Sequence, residues 1–143
     1  MAYVDGASSG NPGPAGAGFV IAGPDGRILG EQAIPLGDAT NNVAEYRALI
    51  AALAKAAALG ARKVVVRSDS ELIVKQMRGE YRVRNEALRP LHERAQEMVA
   101  RFEDVVFEHV PREHNSRADK LARQAAQRSL AGARASTGKH TSS

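Results

Sequence analysis

Four acidic residues have the residue type and the surroundings that cation-dependent chemistry needs: Asp5, Glu45, Asp69 and Asp119. If the four meet in space, they cannot all stay ionised without cations, because neighbouring carboxylates raise one another's pKa. Carboxylate oxygens are hard ligands that select Mg²⁺ or Mn²⁺ over zinc. Two such ions, about 3.5–4 Å apart, can activate a water and stabilise the leaving oxygen in a phosphoryl displacement. The four acids are therefore the candidate catalytic and metal-binding residues.

Each acid also has a purely structural explanation when it is considered alone. Asp5 lies in a predicted strand, where it could be a strand-end acid that faces solvent. Glu45 completes the pattern Asn-x-x-Glu of a capping box, and Asp119 completes a similar one. Asp69 could cap the helix that follows it. The functional interpretation depends on convergence: Asp5 and Asp69 lie side by side if the first strand neighbours the fourth, and both helix starts can then project Glu45 and Asp119 towards them.

The strands that position these acids follow from short apolar runs bounded by turn residues. The first three form an antiparallel meander, and the turn Pro24–Arg27 joins its second and third strands. The run Val64–Val66 is too short for a helix and suggests a central strand buried on both faces. The predicted strands are Ala2–Ala7, Ala17–Gly23, Ile28–Pro35, Lys63–Arg67 and Val105–Val110.

Helices are predicted where apolar residues recur at helical spacing between start and stop signals. The predicted helices are Val43–Leu59, Ser70–Met77, Asn85–Phe102 and Ser116–Leu130. The resulting order, βββαβααβα, favours an α/β fold in which helices flank one five-stranded mixed sheet. Residues 1–130 are predicted to form one catalytic domain, and 131–143 a disordered basic tail, because that tail is rich in Ala, Gly, Ser and Thr.

The composition limits the classes of protein that fit. The chain has 143 residues and no cysteine, and the absence of cysteine excludes disulfides and thiolate metal sites. Its net charge of +4 only weakly favours a polyanionic partner. No apolar run approaches the roughly 20 residues that span a bilayer. The first strand begins at once, which predicts no signal peptide. We expect a cytoplasmic monomer with no membrane partner.

Four segments together resemble ribonuclease H of type I. They are 3–16 around Asp5, 40–46 around Glu45, 68–70 around Asp69, and 115–122 around Asp119. They occur in the family's order, and the resemblance spans about residues 2 to 128. One such segment would be weak support, whereas four in order are strong.

The resemblance implies the ribonuclease H-like fold and an endonuclease that hydrolyses the RNA strand of RNA–DNA hybrids, leaving 5′-phosphate and 3′-hydroxyl ends. It also implies two Mg²⁺ ions per site, with Mn²⁺ as a substitute. Asp5 would bridge both ions, Glu45 and Asp69 would complete the ion on the leaving-group side, and Asp119 would help hold the ion that activates water. Some relatives of this compact type also cut double-stranded RNA, which is a second candidate substrate here.

The Gly-rich turn after the first strand suits close contact with the minor groove of a hybrid, where RNA 2′-hydroxyls are exposed. The candidate substrate-binding residues are Ser8, Gly10, Asn11, Asn41 and Asn42. Their alternative role is turn and cap chemistry, which could coexist with substrate contact.

Two departures from the family pattern affect the expected site. Many relatives carry a His on a flexible loop before the last helix, but the connection here is short, and only His114 or Arg112 could substitute as an auxiliary group. The alternative is that His114 is an ordinary polar loop residue. The segment Arg78–Arg89 has arginines but lacks the long basic, Trp-containing protrusion of some relatives. The pattern therefore indicates the compact form of the family.

Three other functions compete with hybrid hydrolysis as explanations of this sequence. A binding module of the same fold would gain nothing from four mutually repelling acids. A nuclease of the same superfamily that cuts DNA or junctions is disfavoured by the Asn-rich set that suits a minor groove. An enzyme of small-molecule phosphates could use the Gly-rich turn, but it leaves the other three segments unexplained.

Overall fold

The computed structural model describes the backbone of residues 1–142 and the side chains of residues 1–132. Its strands are β1 (Ala2–Ser8), β2 (Gly13–Ala22), β3 (Ile28–Ala39), β4 (Lys63–Ser68) and β5 (Asp104–His109). Its helices are α1 (Asn41–Ala58), α2 (Glu71–Met77), α3 (Arg89–Val99) and α4 (Ser116–Ser142), with a 3₁₀ turn at Arg112–His114. The predicted order of elements is confirmed.

The strands form one mixed sheet in the order β3-β2-β1-β4-β5. The meander β1–β2–β3 is antiparallel, whereas β4 runs parallel to both β1 and β5. The predicted adjacency of the first and fourth strands is therefore confirmed. The last pair between them is Val4 with Ser68, so Asp5 and Asp69 each follow directly after it.

Helices cover the sheet on both faces, and the core lies mainly between α1 and the sheet. Tyr46, Leu49 and Leu53 of α1 are fully buried, and burying such a side chain contributes about 1.5–3 kcal/mol. The Tyr46 hydroxyl donates to Oε1 of Gln76 at 2.7 Å, which joins α1 to α2. On the other face α4 packs so closely on β2 that a Cβ at Gly18 would run into the backbone of α4. In the part of the chain that the model describes, none of the helices combines the length and apolarity needed to cross a membrane.

Helix α3 differs from its predicted span, Asn85–Phe102, and begins only at Arg89. Pro90 stands in its first turn, where proline is tolerated because the N–H it lacks would be unpaired there anyway. Before it, Oδ1 of Asn85 accepts a hydrogen bond from the N–H of Ala87, and residues 86–88 form a turn.

Helix α4 is longer than predicted. The sequence predicted an end at Leu130 and a disordered tail over 131–143, whereas the backbone stays helical to Ser142. The physical reason is local propensity: the segment contains Ala, Arg and Lys and no proline, and its two glycines, Gly132 and Gly138, weaken the helix without ending it. Ser143 and the side chains of residues 133–142 lie outside the described part. That residues 131–143 form a unit separate from the domain stays a prediction.

Candidate active site

Asp5 lies on the central strand with its side chain buried. It follows the last residue of β1 that pairs with β4, at the carboxyl end of that ladder, and it is only 4% exposed. Ligands of sheets with helical crossovers gather at this edge. Asp5 is therefore not a strand-end acid that faces solvent, and its burial needs another explanation.

Glu45 is not a capping residue. The N-cap of α1 is Thr40, whose Oγ1 accepts a hydrogen bond from the N–H of Val43 at 3.2 Å. The Glu45 side chain is 6% exposed, and its carboxylate accepts a hydrogen bond from the backbone N–H of Gly6. Glycine is required at that position because a Cβ there would run into the backbone of Ala44 and Glu45. The close approach of α1 to β1 thus brings Glu45 beside Asp5.

Asp69 lies between β4 and α2, and it does not cap the helix. Ser70 is the N-cap, and its Oγ accepts from the N–H of Ile73 at 3.4 Å. The side chain of Asp69 is 10% exposed, and its Oδ2 lies 3.6 Å from Nε of Arg112. The capping alternative for Asp69 is therefore wrong, as it is for Glu45.

Three of the four acids form one cluster. Asp5, Glu45 and Asp69 each offer a carboxylate oxygen, and these oxygens lie within 4.8 Å of one another. Oε2 of Glu45 is buried without a hydrogen-bond partner. An unpaired buried carboxylate oxygen is costly, and a divalent cation among three carboxylates would remove that cost. The donor set therefore fits a hard cation such as Mg²⁺ or Mn²⁺.

The electrostatics of the cluster agree with that fit. Burial raises the pKa of Asp5, and the negative charges of Glu45 and Asp69 raise it further. Burial also raises the pKa of Glu45. Without a cation the cluster therefore retains protons that ordinary carboxyls lose, and a bound cation would compete with them.

Asp119 lies at the edge of this cluster. It projects from the first turn of α4, lines the same cavity and lies close enough to Asp5 for the two side chains to share a hydrogen bond when one carboxyl is protonated. It does not belong to the group of three within 4.8 Å. Its Oδ2 lies 3.0 Å from Nη2 of Arg123, one turn further along α4. The structure thus brings all four predicted acids to one cavity, with Asp119 beside the other three.

The cavity has a volume of about 420 Å³ and opens to solvent beside the acids. Of the predicted substrate-contact residues, Ser8, Asn41 and Asn42 line it. Gly10 and Asn11 are not among its lining residues, but Oδ1 of Asn11 accepts from the N–H of Asn41 at 2.9 Å and so joins the β1–β2 turn to α1. The hydroxyl of Ser8 donates to the carbonyl of Ala39 at 2.8 Å. Turn chemistry and exposure to the cavity therefore coexist at Ser8.

The auxiliary residues predicted near the last helix separate in the structure. Arg112 lines the cavity, whereas His114 lies outside it and contributes to a neighbouring concavity of about 750 Å³ with Tyr3 and Arg67. The two belong to one 3₁₀ turn, and residues two apart in a helix of three residues per turn point in different directions.

Sequence reasoning missed His109, which does line the cavity. His109 ends β5 and pairs with Ser68, the residue before Asp69, and its Nε2 lies 3.3 Å from the carbonyl oxygen of Asp69. The available signal was its place near the carboxyl end of a strand parallel to β4. The predicted strand Val105–Val110 instead treated it as part of the strand body.

Comparisons with known proteins agree with this geometry. Residues 3–125 match a family model described as Reverse transcriptase-like. The chain is 48% identical over 124 residues to Ribonuclease HI of Halobacterium salinarum, covering 87% of this chain and 62% of that protein. The structure of the N-terminal RNase H domain of Rv2228c from Mycobacterium tuberculosis, solved as a fusion with maltose-binding protein, matches with a TM-score of 0.90 at 44% identity, covering 92% of this chain and 96% of that one.

A third relative was solved with a nucleic acid. LC11-RNase H1 in complex with an RNA/DNA hybrid matches with a TM-score of 0.85 at 43% identity, covering 90% of this chain and 97% of that one. The curated relatives are longer than the region they share with this chain. The chain spans about 62% of the Halobacterium salinarum protein and about 34% of the Mycobacterium tuberculosis protein named Bifunctional protein Rv2228c.

Proposed function

Because this chain belongs to the ribonuclease H type I family, in the compact form without a basic protrusion, we propose that it is an endonuclease of RNA–DNA hybrids. It hydrolyses the RNA strand and leaves 5′-phosphate and 3′-hydroxyl ends. One observation carries this proposal: the carboxylate oxygens of Asp5, Glu45 and Asp69 lie within 4.8 Å of one another beside an open cavity.

Asp5, Glu45, Asp69 and Asp119 would hold two divalent cations, Mg²⁺ with Mn²⁺ as a substitute. When bound, the cations would supply a water of lowered pKa and offset the charge that develops on the phosphate. The unpaired Oε2 of Glu45 and the raised pKa values of Asp5 and Glu45 support this assignment. Asp5 is suited to contact both cations, because its carboxylate is close to those of Glu45 and Asp69 and is also within hydrogen-bond reach of Asp119.

The remaining cavity residues are suited to binding a hybrid. The minor groove of a hybrid exposes RNA 2′-hydroxyls, which both donate and accept hydrogen bonds. Asn41 and Asn42 can offer amide donors and acceptors at the cavity wall, and Ser8 can still accept through its hydroxyl oxygen. All of these groups come from one chain, so we propose that a monomer is active.

A binding module without hydrolysis is the main alternative. Binding a polyanion gains from positive charge near the phosphates and loses from clustered carboxylates. The clustered acids of this site, with Oε2 of Glu45 buried and unpaired, would therefore oppose binding unless cations neutralise them. The acidic cluster therefore favours a cation-dependent enzyme over a binding module.

The test is cleavage of a hybrid, double-stranded RNA and duplex DNA of one sequence, with Mg²⁺, Mn²⁺ or EDTA. We expect the hybrid to be cut at least about tenfold faster than either duplex, with double-stranded RNA as the slower second substrate, because the RNA strand supplies the 2′-hydroxyls. End-labelling should find 5′-phosphates and 3′-hydroxyls. Cutting that persists in EDTA with pure protein would rule out the cation mechanism, and equal cutting of duplex DNA would rule out the substrate assignment.

The two auxiliary candidates can be separated by mutation. Arg112→Ala should lower kcat/KM on a hybrid about tenfold, because it removes the positive charge 3.6 Å from Asp69 at the cavity wall. The matched variant His114→Ala should change kcat/KM less than about twofold, because its side chain lies outside the cavity. Steady-state kinetics at low and moderate salt measure both effects. A larger loss in His114→Ala than in Arg112→Ala would contradict the placement of these two residues.

A further inference from the structure

Asn115 is buried between the 3₁₀ turn and α4, and its side chain reaches the central strand. It is 1% exposed, and its Nδ2 donates to the carbonyl oxygen of Val4 at 2.8 Å. Val4 is the last residue of β1 that pairs with β4. The side-chain bond therefore fixes β1 at the residue directly before Asp5.

The backbone of Asn115 connects two further parts of the site. Its N–H donates to the carbonyl oxygen of Arg112 at 2.9 Å, and its carbonyl oxygen accepts from the N–H of Asp119 at 3.0 Å. One residue thus joins the strand that carries Asp5, the turn that carries Arg112 and the helical turn that carries Asp119. Asn115 itself is not among the residues that line the catalytic cavity.

Helix capping does not explain the orientation of this side chain. An Asn directly before a helix usually caps it, with Oδ1 accepting from an N–H of the first turn. Here Oδ1 of Asn115 is buried and has no hydrogen-bond partner. Leaving a buried acceptor unpaired is destabilising, so stability alone would favour the capping orientation. The amide is instead committed to the Val4 carbonyl.

We propose that Asn115 is a positioning residue, whose amide holds the start of α4 against β1 so that Asp119 stays within hydrogen-bond reach of Asp5 and Arg112 stays against Asp69. This inference rests on the proposed function of the site. Its physical basis is that hydrogen bonds to the groups that hold a cation keep those groups oriented. Loss of such a hydrogen bond commonly lowers cation affinity or activity by about 10–100-fold. Asn115 acts through Asp119 and touches neither substrate nor cation.

A double-mutant cycle with Asp119→Asn tests this role. Asn115→Ala should lower kcat on a hybrid about 10–100-fold, while KM for the hybrid changes less than about threefold. In the Asp119→Asn background, Asn115→Ala should lower kcat by a further factor of less than about three, because the side chain that Asn115 positions has already lost its function. Losses that multiply independently would overturn the proposal. The matched control is Asn85→Ala, which removes an exposed turn-forming Asn away from the cavity and should leave kcat unchanged.

Cation binding gives a second readout that does not require catalysis. Calorimetric titration with Mn²⁺ should show an affinity about tenfold weaker in Asn115→Ala, and no such loss in Asn85→Ala. If the wild-type chain cuts no hybrid, the proposed function fails, but this titration still decides the role of Asn115. Circular dichroism checks folding, and Asn115→Ser provides a smaller polar variant if Asn115→Ala does not fold. Failure of both variants to fold, or unchanged cation affinity in a folded one, would show that Asn115 is only structural.

Discussion

Asp5→Asn should reduce hydrolysis of a hybrid by at least about 10³-fold at saturating Mg²⁺. Asp5 is the acid that neighbours the other three, since its carboxylate lies within 4.8 Å of those of Glu45 and Asp69 and within hydrogen-bond reach of Asp119. Its loss should therefore remove several kcal/mol of cation-dependent transition-state stabilisation, at 1.36 kcal/mol per factor of ten. Single-turnover cleavage of a labelled hybrid measures the chemical step directly. The matched control is Asp104→Asn, which changes an exposed acid at the opposite end of β5 and should retain full activity.

The same variant should be more stable than the wild type without cations. The pKa of Asp5 and of Glu45 lies above its ordinary value, so the folded state binds more protons than the unfolded state does. The free energy of unfolding therefore falls as pH rises above the ordinary carboxyl range towards the raised pKa values. At about pH 8 in EDTA, Asp5→Asn should gain roughly 2 kcal/mol, or about 4–8 °C in Tm, and the gain should shrink at about pH 5.

Thermal melting by circular dichroism, with and without Mg²⁺, measures this effect. Added Mg²⁺ should reduce the difference in Tm between Asp5→Asn and the wild type. The cation binds the native carboxylates, so it should stabilise the wild type more than the variant. A large loss of metal-free stability in Asp5→Asn would indicate that Asp5 is a structural residue. Retention of more than about a tenth of the wild-type rate would contradict its place at the centre of the site.

Gly6→Ala should lower activity about 10²-fold and destabilise the fold by about 1–3 kcal/mol. The added Cβ would run into the backbone of Ala44 and Glu45, which cannot move easily because α1 is held by buried side chains such as Leu49. Relief requires α1 to move away from β1, and a displacement of about 1 Å at a catalytic group is enough for a loss of this size. The variant therefore tests whether the approach of α1 to β1 positions Glu45.

Kinetics well below the melting temperature separate the activity loss from unfolding, and denaturant titration gives the change in stability. The matched control is Gly132→Ala in α4, where a Cβ meets nothing within 4 Å. Because alanine favours helix over glycine, this control should be neutral or more stable by up to about 1 kcal/mol at full activity. Wild-type activity in a folded Gly6→Ala variant would show that the position of Glu45 does not depend on this contact.

Local patterns were reliable for the element order and poor for the ends of elements. Alternating and helical apolar spacing reports which side of a segment is buried, and this determined the strands and helices correctly. The start of α1 is an example: Asn42–Glu45 has a capping-box form, which offered a structural explanation for Glu45, although Thr40 caps the helix. Several residues near a helix start can serve as caps, and the tertiary contact at Gly6 decides which way Glu45 turns.

His109 and His114 also show the difference between what local sequence patterns predict and what tertiary contacts decide. Both are near the end of β5 in the sequence, and the family pattern of a His in the connection before the last helix made His114 the candidate. The end of β5, its pairing with β4 and the following 3₁₀ turn place His109 at the cavity and His114 outside it. The direction of a side chain near the end of a strand depends on the residue at which strand pairing stops. The apolar pattern predicts that residue only to within one or two positions.

By itself, the sequence determined the order βββαβααβα, the mixed sheet and the four acids that stand at strand ends and helix starts. Only the tertiary structure decided that Asp5, Glu45 and Asp69 lie within 4.8 Å of one another, and that Asn115 bonds Val4 from 111 positions away in the chain. The physical reason is that helices and strands follow from local periodicity, whereas these distances follow from strand order and from close backbone approach between distant segments.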